Sequence, residues 1–248
     1  MINSIFITGI GTDVGKTIVA AILAEALEAD YWKPIQAGFD NGTDTEFVRS
    51  VISNKKTIVH PETYKLKLAA SPHIAAREEG IKIELDNIYE NYLKTVKRQT
   101  SNVNEQTLTH NSELKTQSLE FKTQNSEFKS ENPELRTQNL IIEGAGGLMV
   151  PLNENQFVID LVKKLDAKVI LVSRNYLGSI NHSLLTAAVC KQHGLNVIGW
   201  IFNDQYMSYE DEIVRWSGYP KIASLPFATN IDSLFIRQQA AQINFPLE

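Results

Sequence analysis

Near its N-terminus the chain reads Gly9-Ile10-Gly11-Thr12-Asp13-Val14-Gly15-Lys16-Thr17, between an apolar run and a segment whose apolar positions recur at helical spacing. Glycines let a backbone curl so that successive N–H groups, and the N-terminus of the helix that follows, point at phosphate oxygens. Lys16 adds a point charge, and the hydroxyl of Thr17 can reach a divalent cation. The stretch therefore predicts a phosphate-binding loop between a strand and a helix.

The spacing of this loop departs from the common pattern G-x-x-x-x-G-K-[ST]. Gly9 lies one residue too far from Gly15, and Gly11 lies one residue too near. A chance glycine-rich turn is the alternative interpretation. The strand before the loop, the helix after it and the final Gly-Lys-Thr favour phosphate binding.

Apolar runs of strand length alternate with helical patterns along the rest of the chain. The runs are residues 5–7, 140–142, 169–172 and 197–202, and the helical patterns are residues 16–28, 159–165 and 179–193. Continuously apolar strands are buried on both faces. The alternation predicts an α/β fold like that of the P-loop NTPases, a doubly wound and mostly parallel sheet with helices on both faces. With 248 residues, 43% of them hydrophobic, we expect one domain over residues 1–248.

Composition and charge narrow the classes of partner and compartment. The formal net charge of −5 provides no basic field, so we expect neither a nucleic-acid nor a membrane partner. The single cysteine, Cys190, cannot form an internal disulfide, and its apolar helical surroundings predict a buried thiol. The N-terminus has no basic region followed by a long apolar run, and this pattern predicts a cytoplasmic protein.

A polar stretch from about residue 99 to 139 interrupts the alternation with a tandem heptad. Glu113, Glu120, Glu127 and Glu134 stand seven residues apart, each followed by Leu or Phe and then by Lys or Arg. Each heptad supplies mainly one apolar residue where a coiled-coil seam needs two, and Pro133 interrupts the last repeat. The composition favours a solvated, weakly ordered low-complexity insertion, because it buries too little to offset the entropy of ordering. A marginal helical extension is the alternative.

Unusual residues follow three of the predicted strands. They are the loop of residues 9–17, the run Glu143-Gly144-Ala145-Gly146-Gly147, and the pair Asn203-Asp204. Ligands of such sheets bind outside the carboxyl ends of the strands. One site can therefore gather all three segments.

The sequence after the first helix extends this pattern. It reads Tyr31-Trp32-Lys33-Pro34-Ile35-Gln36-Ala37-Gly38, and Asp44 follows in Gly42-Thr43-Asp44-Thr45. With Glu143 and its glycines, these motifs resemble the dethiobiotin synthetases. The resemblance runs from residue 5 to about 228 apart from the heptads, and includes residues 71–73, 178–182 and 199–204.

The resemblance implies an ATP-dependent ligase of biotin biosynthesis. Such an enzyme carboxylates 7,8-diaminopelargonate with CO₂, phosphorylates the carbamate with ATP as co-substrate, and closes the ring to give dethiobiotin, ADP and phosphate. It implies Mg²⁺ as cofactor and a homodimer. It also implies that Lys33 and Lys16 are catalytic, where positioned cations act on the charge that develops during phosphoryl transfer. The alternative interpretation of Lys33 is a surface lysine whose ammonium reaches water.

The same resemblance assigns the remaining site residues. Metal ligands would be Thr17, Asp44 and Glu143, which offer the hard oxygens that Mg²⁺ accepts. ATP would contact Thr12, Asp13, Val14, Gly15, Lys16, Thr17, Ile18, Asp44, Glu143, Gly144, Ala145, Gly146, Asn203, Asp204, Pro226, Phe227 and Ala228. The substrate would contact Lys33, Ala37, Ser179, Ile180 and Asn181, the last three from the partner subunit.

Several of these residues also have ordinary structural interpretations. Asp44 could be a turn residue and Asn203-Asp204 an Asx turn, and we leave His182 out of the site because a lone helical histidine is commonly structural. Family members commonly carry Ser or Thr where this chain has Ala37. Only the backbone can therefore contact substrate there, at a cost of about 1 kcal/mol for one neutral hydrogen bond.

Two other classes remain as alternatives. A nucleotide-switch ATPase of the ParA/MinD type would carry an extra lysine early in its phosphate loop, where this chain has Ile10 and Gly11. A corrin-ring amidotransferase-type synthetase would need a glutaminase domain with a nucleophilic cysteine, whereas Cys190 lies in a predicted helix.

Overall fold

The computed structural model describes residues 3–96, 139–204 and 207–245. The strands are β1 (Asn3–Gly9), β2 (Asp30–Trp32), β3 (Ile35–Ala37), β4 (Val59–His60), β5 (Tyr64–Leu66), β6 (Asn139–Glu143), β7 (Lys168–Arg174), β8 (Val197–Asn203) and β9 (Lys221–Leu225). The helices are α1 (Lys16–Leu27), α2 (Asp44–Val51), α3 (Pro72–Glu78), α4 (85–96), α5 (Val158–Leu165), α6 (Ser179–Gln192), α7 (Glu210–Ser217) and α8 (Ser233–Ala240). None of the helices in these ranges is long and apolar enough to cross a membrane.

The main sheet has seven strands in the order β4-β2-β6-β1-β7-β8-β9, and each neighbouring pair is parallel. Strands β3 and β5 form a separate parallel pair. Each face of the main sheet carries its own apolar cluster, one around Trp32 and Trp200 and the other around α1. The predicted doubly wound α/β fold is confirmed, and so are the strands predicted at residues 5–7, 140–142, 169–172 and 197–202.

Three strands of the main sheet were not predicted, namely β2, β4 and β9. Strand β2 has three residues and β4 has two, too few for a periodic pattern. Asp30 also breaks the apolar character of β2. Its carboxylate pairs with the ring of His60 on the neighbouring strand at 2.9 Å, and both side chains are buried. This contact compensates the buried carboxylate of Asp30. In a sequence pattern, by contrast, a charged residue argues against a buried strand.

The predicted insertion lies almost wholly in residues 97–138, outside the described residues. It was expected to end at about residue 139. Asn139 is the first residue of β6 and pairs in register with Asn3 of β1. The strand extends that far because the polar Asn139 begins a ladder whose next residues are fully buried.

Strand β1 lies at the centre of the sheet, between β6 and β7. The chain leaves β1 toward one edge of the sheet and returns through β6 before it builds the other edge. The strand order therefore reverses beside β1, and ligands of doubly wound sheets bind in the crevice at such a reversal. The loops that follow β1, β2, β6 and β8 all end at this crevice.

Candidate active site

The glycine-rich loop connects β1 directly to α1, and two of its glycines are required by close contacts. Gly15 has a left-handed backbone (φ 90°), and a Cβ there would lie 1.8 Å from Nδ2 of Asn203. A Cβ on Gly9 would lie 2.5 Å from the side chain of Val14, whereas the same position at Gly11 is open. Of the two glycines early in the loop, the fold therefore requires Gly9, although Gly9 lies one residue too far from Gly15 for the common pattern.

Lys16 folds back over the loop. Its Nζ donates to the carbonyl of Gly11 at 2.7 Å. Burial lowers the pKa of Lys16 from 10.5 to about 8, and the attraction of Glu143 opposes this shift only in part. A phosphate placed in the loop would restore the charged form, because an anion stabilises a buried ammonium.

Three side-chain oxygens meet at the start of α1. The hydroxyl oxygen of Thr17 lies 3.0 Å from Oδ1 of Asp44 and 2.8 Å from Oε1 of Glu143. Asp44 is the first residue of α2, which begins with a capping box between Thr43 and Glu46. The interpretation of Asp44 as a turn residue is therefore wrong. Glu143 ends β6 and is 1% exposed.

Lys33 joins the two carboxylates. It follows β2, and its ammonium pairs with Oδ2 of Asp44 and, at 3.0 Å, with Oε1 of Glu143. The side chain is 8% exposed, so the interpretation of Lys33 as a surface lysine is wrong. Burial alone would lower the pKa of Lys33, but the two carboxylates outweigh it and raise this pKa. The cluster is thus a buried cation held between two anions.

Tyr31 completes the cluster, and the sequence interpretation did not include it. Its hydroxyl donates to Oε2 of Glu143 at 2.8 Å. Burial, reinforced by the charge of Glu143, raises the pKa of Tyr31 well above 10. One signal was present in the sequence, because a residue two positions before Lys33 on a strand shares its face of the sheet.

The glycines after Glu143 pack against β1. The N–H of Gly144 donates to the carbonyl of Ile7 at 2.9 Å, and a Cβ at Gly144 would lie 2.7 Å from the ring of Phe6. Gly146 has a left-handed backbone (φ 71°), and Ala145 between them is half-buried. Gly144 therefore serves the packing of β6 on β1, and its contact with ATP stays a prediction.

A pocket of about 180 Å³ lies beside the loop. Its wall includes residues predicted to bind ATP: Asp13, Gly15, Ile18, Asn203, Asp204, Pro226, Phe227 and Ala228. The Nδ2 of Asn203 donates to the carbonyl of Val14 at 3.2 Å, which holds the end of β8 against the loop. Thr12, at the outer bend of that loop, is exposed.

Three further residues of this wall were not predicted, namely Arg174, Ile231 and Phe235. Arg174 ends β7, and its guanidinium lies 3.3 Å from Oδ2 of Asp204. Arg174 could have been found from its position at a strand end. Ile231 and Phe235 lie beyond the last predicted motif.

The residues predicted to bind substrate lie in two places. Ala37 is half-buried at the end of β3. Ser179 begins α6, but its hydroxyl is buried 2.6 Å from that of Tyr209, and its N–H donates to the carbonyl of Tyr176. Ser179 therefore has its polar groups engaged within the chain, and its contact with substrate stays a prediction. Ile180 and Asn181 follow in the first helical turn, where backbone N–H groups have no acceptor within the helix.

The chain resembles known proteins in both sequence and fold. A family model described as an AAA domain matches residues 3–233. The septum site-determining protein MinD of Pyrococcus horikoshii, solved as a complex with Mg-ADP, has a TM-score of 0.50 at 12% identity, over 98% of this chain and 88% of its own. At this identity the likeness concerns the fold alone.

Curated relatives are more similar. The protein named ATP-dependent dethiobiotin synthetase BioD of Cytophaga hutchinsonii is 41% identical over 215 residues, which cover 86% of this chain and 84% of that protein. Proteins of the same name from Christiangramia forsetii and Rhodopseudomonas palustris (strain BisB18) are 38% and 33% identical. The first covers 97% of this chain and 95% of its own length, and the second covers 94% and 91%.

Proposed function

We propose, for a chain that belongs to the family of ATP-dependent dethiobiotin synthetases, that the cluster around Lys33 and Glu143 is the catalytic centre of that reaction. The protein is an ATP-dependent cyclo-ligase of biotin biosynthesis. It joins CO₂ to 7,8-diaminopelargonate as a carbamate, phosphorylates the carbamate with ATP, and closes the ureido ring. The observation that carries the proposal is the buried cation of Lys33, held between two carboxylates beside a phosphate-binding loop.

The loop would bind the phosphates of ATP. Its backbone N–H groups and the N-terminus of α1 provide fixed partial positive charge. Lys16 would move from the carbonyl of Gly11 to the phosphate oxygens, where its positive charge is stabilised. These groups are already in place before the reaction, so little reorganisation accompanies the transfer.

The donor set fits Mg²⁺. This ion is usually held by one or two carboxylates together with substrate phosphates and water. Thr17, Asp44 and Glu143 bring three oxygens together within hydrogen-bonding distance at the end of the loop. Mg²⁺ bound there would supply positive charge to the phosphates of ATP.

Lys33 would neutralise charge on the reacting groups. The carbamate oxygen attacks the γ-phosphorus of ATP, the bond to the β-phosphate oxygen breaks, and ADP leaves. The second amine then attacks the carbon of the mixed anhydride, and phosphate leaves as the ring closes. Both steps place negative charge on oxygens between substrate and ATP. A buried ammonium at that position stabilises this charge more strongly than a solvated one.

The pocket beside the loop would hold the adenine. Asn203 carries an amide that can donate and accept together, as the edge of adenine requires. Phe227 is 65% exposed at the pocket, which suits stacking on a base. Asp13, Ile18 and the segment 226–228 would complete the walls.

A homodimer is the assembly that the surface of α6 supports. Leu177 is 88% exposed just before α6, and Leu185 is 58% exposed within it. These two exposed leucines flank the start of α6, and burial against a second copy would remove both from water. The N–H groups of Ile180 and Asn181 lie between them and would receive the substrate carboxylate of the partner's site. Sedimentation of the wild type and of Leu185→Asp tests this, since only the wild type should sediment as a dimer.

The reaction is tested by measuring dethiobiotin formed from diaminopelargonate, bicarbonate and MgATP. ATP hydrolysis that depends on a membrane surface or DNA, without product, would instead support the nucleotide switch. Hydrolysis that depends on glutamine would support the amidotransferase-type synthetase. Location in the cytoplasm remains a prediction, to be checked by fractionating cells that express the chain.

A further inference from the structure

Tyr31 lies in the same cluster as Lys33, yet the proposed reaction gives its phenol no role. It belongs to β2 and pairs in register with Ile141 of β6. Tyr31 and Ile141 both pack in the apolar cluster around α1. Lys33, the residue after β2, reaches the same Glu143 carboxylate as Tyr31 does.

The two oxygens of the Glu143 carboxylate have different partners. Oε2 accepts from the hydroxyl of Tyr31 at 2.8 Å. Oε1 lies 2.8 Å from the hydroxyl of Thr17 and 3.0 Å from the ammonium of Lys33. One oxygen thus lies beside Thr17 and Lys33, and the other is held by Tyr31.

The hydrogen bond between Tyr31 and Glu143 is buried, so it restrains the orientation of this carboxylate. Tyr31 is 0% exposed and Glu143 is 1% exposed, so solvent does not compete for Oε2. The last torsion of a glutamate is soft and takes a broad range of angles. The hydrogen bond from Tyr31 to Oε2 therefore adds to the contacts of Oε1 with Thr17 and Lys33 in restraining this torsion.

We propose that Tyr31 is a positioning residue, which fixes the Glu143 carboxylate through Oε2 so that Oε1 faces Thr17 and the bound metal–nucleotide complex. The inference rests on the proposed function, since it assumes that Glu143 is a metal ligand. Partners that orient a ligand in this way commonly account for about 10- to 100-fold in metal affinity or activity.

The test uses Tyr31→Phe, which removes the hydroxyl and keeps the ring. Calorimetry measures ADP binding in Mg²⁺ and in EDTA, so the readout needs no turnover. We expect the affinity for ADP in Mg²⁺ to fall about 10- to 100-fold and the affinity in EDTA to stay unchanged. Tyr92→Phe is the matched control, because Tyr92 also shares a 2.8 Å hydroxyl hydrogen bond, with Ser4 at the other end of β1. It should bind ADP as the wild type does.

A double-mutant cycle shows whether the phenol acts through Glu143. If it does, Tyr31→Phe combined with Glu143→Gln binds ADP in Mg²⁺ as Glu143→Gln alone does, because the same interaction is lost only once. Additive losses would overturn the proposal, and so would unchanged metal-dependent binding in Tyr31→Phe. The cycle requires the affinity of each single variant, and Tyr31→Phe keeps the ring that fills the core.

The proposed function has a separate test. If the wild type binds ADP in a Mg²⁺-dependent manner but forms no dethiobiotin, the proposed reaction fails while the role of Tyr31 can still be measured. If the wild type forms dethiobiotin and Tyr31→Phe binds MgADP normally, only the positioning role fails.

Discussion

The ammonium of Lys33 lies 3.0 Å from Oε1 of Glu143, although 110 positions separate the two residues in sequence. They meet because β2 and β6 are neighbours in the sheet and both strands end at the same edge. The contact places Lys33, the residue that follows β2, against the carboxylate that ends β6. The catalytic proposal depends on this contact.

Replacing Lys33 by alanine should abolish dethiobiotin synthesis. Loss of one preorganised donor to developing negative charge costs about 10²- to 10³-fold in rate. The variant should keep ADP binding, which is measured by calorimetry, while product formation is followed by chromatography. Lys56→Ala is the control, because Lys56 pairs with Glu28 at the surface with its side chain 49% exposed. Turnover within about threefold of wild type in Lys33→Ala would remove Lys33 from the catalytic centre.

The same variant should also unfold more easily. Removal of one partner from a buried ion pair leaves an uncompensated charge, at a cost of about 3 to 5 kcal/mol. Here two carboxylates lose the same cation. The melting temperature of Lys33→Ala, measured by thermal denaturation at pH 7, should therefore lie below that of the wild type.

The carboxylates should control the dependence of nucleotide binding on Mg²⁺. Glu143→Gln and Asp44→Asn each replace an anionic oxygen by a neutral amide, and each should weaken MgADP binding at least about tenfold, the effect of losing roughly 1.5 kcal/mol. Binding in EDTA should change little. Asp86→Asn, at an exposed ion pair with Lys164, is the control. Equal MgADP affinity in wild type and both site variants would contradict the metal assignment.

Phe227→Ala should weaken binding of the base and leave binding of the phosphates intact. Stacking of a base on an aromatic ring contributes about 1 to 3 kcal/mol. The affinity for ADP should therefore fall at least about fivefold, whereas inorganic tripolyphosphate should bind as tightly as before. Trp216→Ala, which removes another half-exposed aromatic side chain outside the pocket, should change neither affinity. An equal loss for both ligands would show that Phe227 supports the loop and not the base.

Cys190 should resist alkylation in the native protein. It is 0% exposed, and burial raises its pKa from 9.0 to about 12. Since the thiolate is the reactive form, the native protein should react with iodoacetamide far more slowly than the unfolded chain at pH 9. The difference should narrow only as the pH approaches 12. Mass spectrometry with and without guanidinium measures it, and rapid native labelling would contradict the assignment of a core thiol.

The raised pKa of Cys190 also makes the stability of the fold depend on pH. The folded pKa lies above the unfolded one, so the folded thiol keeps its proton over a pH range in which the unfolded thiol has lost it. This group therefore contributes most stability below pH 9 and loses it as the pH rises toward 12.

Local sequence predicted the parts of the fold that depend on neighbouring residues. The loop of residues 9–17 could be recognised because its glycines, lysine and hydroxyl act within one turn, and β6, β7 and β8 could be recognised because burial on both faces requires continuous apolar runs. Strands β2 and β4 could not, since a pair of buried polar residues, Asp30 and His60, replaces apolar character in each.

The candidate site also combines residues that the sequence indicated with contacts that it did not. The resemblance to the dethiobiotin synthetases named Lys33, Asp44 and Glu143 as residues of interest, and Glu143 also drew attention because it ends a fully apolar strand. No spacing showed that Tyr31 donates to Glu143, that Arg174 pairs with Asp204, or that Ser179 is turned inward toward Tyr209. Each of these contacts joins segments whose relative position follows from packing.

The sequence by itself determined that this chain is a parallel α/β protein with a phosphate-binding loop, because helix, strand and loop preferences act over a few residues. The tertiary structure decided the order of the strands, and with it the neighbours of every residue at the sheet edge. Because β6 lies between β2 and β1 in the sheet, Glu143 contacts Tyr31, Lys33 and Thr17. Strand order follows from how all the apolar faces are buried at once, so no single segment encodes it.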